Sequence, residues 1–146
     1  MNQNAESINM LHGIYQSASM GVEASRLLIS KTQNQQFSEK LRSYSDRYKE
    51  IKEEAAELLA QRREFPREPA SSDKAGLWMG VQMNTLTDQS PSHLAEMLIQ
   101  GSTMGIIKEV KHKNTHPQAD PQCYELEDKY LSLQQEHIDD MKQFLN

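Results

Sequence analysis

The residues of this 146-residue chain best suited to chemistry are histidines and carboxylates spaced one helical turn apart. Side chains at i and i+3 of a helix point to the same side, so such a pair can share a metal ion. His93 and Glu96 have this spacing inside the stretch SPSHLAEMLIQGSTMGII, residues 90–107, and His137 with Asp140 repeats it near the end. The order Glu-x-x-His occurs once, at Glu109 and His112, among Lys108, Lys111 and Lys113 where a helical pattern runs out. A dinuclear carboxylate site in a helical bundle uses a Glu from each of two helices and a Glu-x-x-His pair from each of the other two. That set is incomplete here. Glu23 and Glu96, each on the edge of an apolar stripe, would combine with His93 and His137 into a non-standard metal site for iron, manganese or zinc. The competing expectation is structural: Glu23, Glu96, Gln100 and Thr103 form a buried hydrogen-bond network that fixes helix register, and His93 is exposed.

No other constellation carries chemistry. No glycine-rich phosphate loop follows a strand, and nothing pairs a nucleophile with its base, so no catalytic residues and no organic cofactor are expected. His12, Tyr15 and Gln16 read as packing, and the eight methionines as gap-filling core.

The elements that must position these residues are helices. The hydrophobic fraction is 36% and the charged fraction 25%, which suits amphipathic helices with one apolar stripe each. The spacing of apolar residues predicts helices over about 4–32, 35–64, 73–87, 91–113 and 121–145. Asn4, Ser72 or Asp73, Ser90 and Asp120 are the expected caps, with Pro91 and Pro121 at first helical positions. In the second helix Phe37, Leu41, Tyr44, Tyr48, Ile51, Ala55 and Leu58 form a bundle seam. In the fourth, the expected apolar face is Leu94, Met97, Leu98, Gly101, Met104 and Gly105, widened by Ile99, Ile106 and Val110. In the last it is Tyr124, Leu131, Ile138, Met141 and Leu145. All five prolines fall in boundaries and all six glycines inside helices, so close approach of helix backbones is expected at the glycines.

Helices one and two, and again the last two, are joined by short loops, with some 25 residues between the pairs. Short loop, long crossover and short loop is the connectivity of a ferritin-like bundle. The expected fold is therefore all-α: one domain, residues 1–146, forming an up-down four-helix bundle with a short extra helix in the long crossover between helices two and three. With ESINMLHGIYQSASMGVEAS, HLAEMLIQGSTMGI and EHIDDMKQFL in place, the chain resembles ferritin-like bundle proteins of bacteria, in the branch with no assigned function. The resemblance implies a four-helix bundle, and some relatives bind two metal ions through carboxylates.

A net charge of −5 argues against nucleic-acid binding, and no apolar run reaches membrane-spanning length. A single cysteine, Cys123, fits a reducing compartment, and the N-terminus lacks the pattern of a signal peptide, so a cytoplasmic location is expected. The missing ligand set favours a non-catalytic bundle, with no cofactor, that acts through self-association, as a dimer, or through a protein partner. The alternative is a carboxylate–histidine metal-binding bundle with storage or oxidoreductase activity.

Overall fold

In a computed structural model that describes residues 2–146, the chain is all-helical, and no strand occurs among the described residues. The helices are α1 (Gln3–Ile29), α2 (Gln35–Ala60), α3 (Ser71–Asn84), α4 (Pro91–Asn114) and α5 (Pro121–Met141), with a 3-10 turn at Lys142–Phe144. The caps explain most boundaries. Asn2, and not Asn4, starts α1, its Oδ1 accepting from the Ala5 amide at 2.8 Å. Asn34 does the same for Phe37 at 2.9 Å, and Ser90 for His93 at 3.2 Å. Neither Ser72 nor Asp73 caps α3, which starts from Ala70 without a side-chain cap. Asp120 stands at the start of α5 but does not cap it, because its carboxylate is drawn to Arg62, just past the end of α2.

α2 stops at Ala60, short of the expected Glu64 and ahead of Pro66. The Glu64 amide donates to the Leu59 carbonyl and the Arg63 amide to the Ala60 carbonyl, a Schellman closure with Arg63 left-handed at φ 60°.

α1 and α2 form an antiparallel pair, as do α4 and α5. α2 and α5 run antiparallel beside each other, since Tyr44, Arg47, Glu54 and Arg62 meet Asp140, Glu136, Lys129 and Asp120 in turn. The exposed ion pairs among them, Arg47–Glu136 and Lys129–Glu54, contribute about 0–1 kcal/mol each, so they mark register more than stability. α1 and α4 are also antiparallel, with Ser17 bonded to Glu109 and the backbone at Gly13 lying against His112. The crossover runs the length of α1. The Arg67 amide donates to His12 Nδ1, Tyr15 donates to Glu68, and Lys31 at the far end donates to Gln82 of α3. His12 and Tyr15 thus tether the crossover.

The core is shared by all four long helices. Met10, Leu11, Ile14, Phe37, Leu41, Leu59, Leu94, Leu126, Leu133 and Met141 are almost wholly enclosed, each stabilising the fold by about 1.5–3 kcal/mol. The α2 seam lies where its spacing places it, except that Leu59 is buried and Leu58 only partly so. The faces of α4 and α5 differ from expectation. α4 buries Leu94, Ala95, Leu98, Ser102 and Glu109, while Met104 is 70% exposed. α5 buries Cys123, Leu126, Glu127, Tyr130, Leu133, Gln134, His137 and Met141, while Tyr124 and Leu131 pack against the core and Ile138 is partly exposed. Both helices therefore turn polar groups inward. The glycines also behave differently from the backbone approach expected of them. Gly13, Gly21 and Gly105 face the side chains of His112, Tyr48 and Tyr130, and Gly76, Gly80 and Gly101 face open space.

Arg63 carries the cost of a left-handed conformation that glycine adopts freely. Arg63→Gly should raise unfolding stability by about 0.5–1 kcal/mol, after the greater freedom of glycine in the unfolded chain is counted. Urea denaturation measures this, and an unchanged or lower midpoint would contradict it.

Candidate metal centre

Continuing the buried stripe of α4 past Leu98 and Ser102 at helical spacing lands on Glu109 and then His112. Lys108 and Lys111, which flank them in sequence, point to solvent. From α5, the equivalent stripe delivers Glu127 to the same level of the core. Glu109, His112 and Glu127 each offer a ligand atom, and these atoms lie within 4.8 Å of one another. Both carboxylates are fully buried, and the His112 side chain is 24% exposed.

The hydrogen-bond inventory is unusual for an interior. Glu109 Oε2 accepts from the Ser17 hydroxyl at 2.9 Å. Glu109 Oε1, both Glu127 oxygens and His112 Nδ1 have no hydrogen-bond partner. His112 Nδ1 stands 3.7 Å from Glu109 Oε1, an ion-pair separation too long for a hydrogen bond. Buried polar atoms are normally paired, so four unpaired ones on three clustered residues are a sign of a missing charge or proton.

Electrostatics agree. Burial, and then the neighbouring Glu109 carboxylate, push the Glu127 carboxyl up to about 9. Burial would raise Glu109 as well, but the His112 imidazole and the Ser17 hydroxyl outweigh it and hold Glu109 below its ordinary value. One carboxylate is thus kept ionised and the other holds a proton, which a cation can replace.

The residues singled out from sequence lie elsewhere. Glu23 is partly exposed and pairs with Arg26 at 2.8 Å within α1. Glu96 is exposed on α4. His93 Nε2 sits 2.6 Å from the Asn84 carbonyl, so that nitrogen carries the proton and ties the end of α3 to the start of α4. His137 is fully buried and stacks on Tyr44 with ring centroids 3.7 Å apart. Gln134 donates to the Tyr48 hydroxyl at 2.7 Å, which leaves that hydroxyl to donate to His137 Nδ1 at 3.2 Å. Nδ1 is then occupied and Nε2 protonated, so neither nitrogen offers a lone pair to a metal. Burial and the Arg47 charge push His137 down to about 3, keeping it neutral. Glu23, His93, Glu96 and His137 form no ligand grouping among the described residues. The expected network of Glu23, Glu96, Gln100 and Thr103 is not formed either, since Thr103 bonds the Ile99 carbonyl and Glu96 and Gln100 face water.

Sequence reasoning noticed Glu109 and His112 but passed over them for their lysine neighbours, and it did not single out Glu127. The signal was the position of Glu109 and Glu127 on buried rows continued from Leu98 and Cys123. Cys123 is buried and its thiol is raised by that burial, as suits an unreactive cysteine.

No protein-family model matches this chain, and no curated protein or solved structure matches it.

Between the ordinary carboxyl value of 4.5 and about 9, folded Glu127 keeps a proton that the unfolded chain has released. Stability should therefore fall as pH rises across that window, by up to about 1.4 kcal/mol per pH unit for one proton. Glu127→Gln, which cannot lose the proton, should remove this slope and be the more stable protein at alkaline pH. Parallel stability–pH profiles for the two metal-free proteins would rule out a proton held at Glu127.

Proposed function

We propose that this protein is a divalent-metal-binding helical bundle of ferritin-like connectivity, with Glu109, His112 and Glu127 as its ligands. The observation that carries the reading is the convergence of two buried carboxylates and an imidazole, with four of their polar atoms unpaired. Two carboxylates neutralise a divalent ion, and the imidazole adds a nitrogen. This donor set, with no thiolate, suits manganese, iron or zinc. The antiparallel pairs α1–α2 and α4–α5, linked by a crossover along α1, support the ferritin-like description.

The centre is smaller than a dinuclear one. α4 supplies a Glu-x-x-His pair, whereas at the equivalent place on α5 Glu127 is followed three residues later by Tyr130. α1 offers Ser17, and α2 contributes nothing to the grouping. Three protein ligands fit a single ion that keeps an open coordination position, as reactive metal sites do. Storage of many ions is disfavoured by this count, and Lewis-acid or redox chemistry on one small ligand is favoured.

Metal-free protein titrated with manganese, iron(II), cobalt(II) or zinc should take up about one ion per chain. Ion at 100 times its dissociation constant should stabilise the fold by about 2.7 kcal/mol. His112→Ala and Glu127→Gln should weaken binding by at least about 10–100-fold, while Glu96→Ala should not. Wild-type protein that takes up no ion, or binding that survives Glu127→Gln intact, would dispose of the site.

A second reading, association with another copy or a protein partner, has its own observation. Trp78, Met79, Met83 and Leu86 in the crossover and Met104, Ile107 and Val110 on α4 are exposed apolar side chains. If the α4 row is a self-association face, the chain should sediment as a dimer at micromolar concentration and Met104→Asp should return it to monomer. Monomeric wild-type sedimentation would sink that reading and leave the metal centre untouched.

A further inference from the structure

His112 reaches the centre across the backbone of α1, at a residue that has no side chain. A Cβ placed on Gly13 would lie 2.6 Å from His112 Nδ1, and nearer still to the adjoining ring carbon. That is a separation real Cβ atoms essentially never show. The ring has little freedom to retreat. Its other neighbour is the His116 ring, packed edge-on at a centroid distance of 4.4 Å. His116 is itself fixed, with Nδ1 2.7 Å from the His112 carbonyl. One turn further along the same crossing, Ser17 holds Glu109.

We infer that Gly13 is the positioning residue of the metal centre: its missing side chain lets the His112 imidazole lie over α1 with Nδ1 beside Glu109. This rests on the metal-binding reading above. Gly21 gives the contrast. A Cβ there would lie 2.6 Å from Cε2 of Tyr48, a ring outside the ligand grouping. Alanine at either position crowds an aromatic ring, but only alanine at 13 displaces a ligand.

The experiment compares wild type, Gly13→Ala, Gly21→Ala and His112→Ala, loaded with cobalt(II) for affinity and with manganese(II) for spin-echo detection of the imidazole nitrogen. Gly13→Ala should lose the nitrogen signal and bind at least about tenfold more weakly, matching His112→Ala. Gly21→Ala should keep both properties even though it is less stable. Wild-type affinity and an intact nitrogen signal in Gly13→Ala would overturn the inference.

A thermal cycle covers the case in which Gly13→Ala folds poorly. Gly13→Ala should lower the melting temperature of wild type but raise that of His112→Ala, where alanine replaces an interior helix glycine and the obstructing ring is gone. Equal losses in both backgrounds would show that Gly13 does not accommodate His112, and the inference would fall. Wild-type protein that binds no cation would remove the metal reading and Gly13's role in it, while the cycle would still judge the steric contact alone.

Discussion

Two carboxylates face each other inside this protein, and much of the surrounding architecture exists to hold them there. An ionised carboxylate moved out of water costs several kcal/mol even after relaxation, and a second one beside it adds repulsion. The interior must therefore supply a proton, a cation or both. The structure supplies only part of the compensation, as one serine hydroxyl and one imidazole. Glu109 and Glu127 come from opposite members of the α4–α5 hairpin, so the repulsion acts across the packing that encloses them. Charge supplied at this point would tighten the hairpin as well as satisfy the ligands.

A second polar layer lies in the same core and is solved differently. Gln134, Tyr48 and His137 form a chain of donors and acceptors in the interior, and Tyr44, stacked on His137, donates to Asp140 nearer the surface. Burial holds the His137 ring neutral, and its one unpaired atom is Nε2. Such a nearly closed network favours one helix register. The upper layer around Glu109 is the open one. The two layers share helix α5, which turns Glu127, Gln134 and His137 inward.

Much of the helix layout was legible in the sequence. Ser90 followed by Pro91 gave the start of α4, the prolines marked boundaries, and the loop lengths gave the pairing of helices. The faces of α4 and α5 were harder. Met104 and Val110 are apolar and nearly in phase with the core, so they draw the expected face toward solvent. Glu109, Glu127, Gln134 and His137 are polar and in fact occupy the seam. Periodicity weighs residues by hydrophobicity, and a buried functional layer inverts that weighting. His93, Glu96 and Glu23 were attractive because they flank the apparent stripe, which is where a surface pair or a helix clamp also sits. The Glu-x-x-His pair was discounted for its lysines, although residues one and two positions away on a helix project from other sides.

The crossover has a consequence for how unfolding of this protein would be seen. The only tryptophan, Trp78, lies half-exposed on α3, which packs chiefly against α1 and is tied to the start of α4 by His93. Tyr44, Tyr48 and Tyr130 are sealed between the long helices. Indole fluorescence thus reports the strap laid along the outside, and the near-ultraviolet signal of the tyrosines reports the interior. Where the two traces coincide, the strap and the interior melt as one cooperative unit. Where the indole moves first, the crossover peels from α1 while the carboxylate layer is still enclosed.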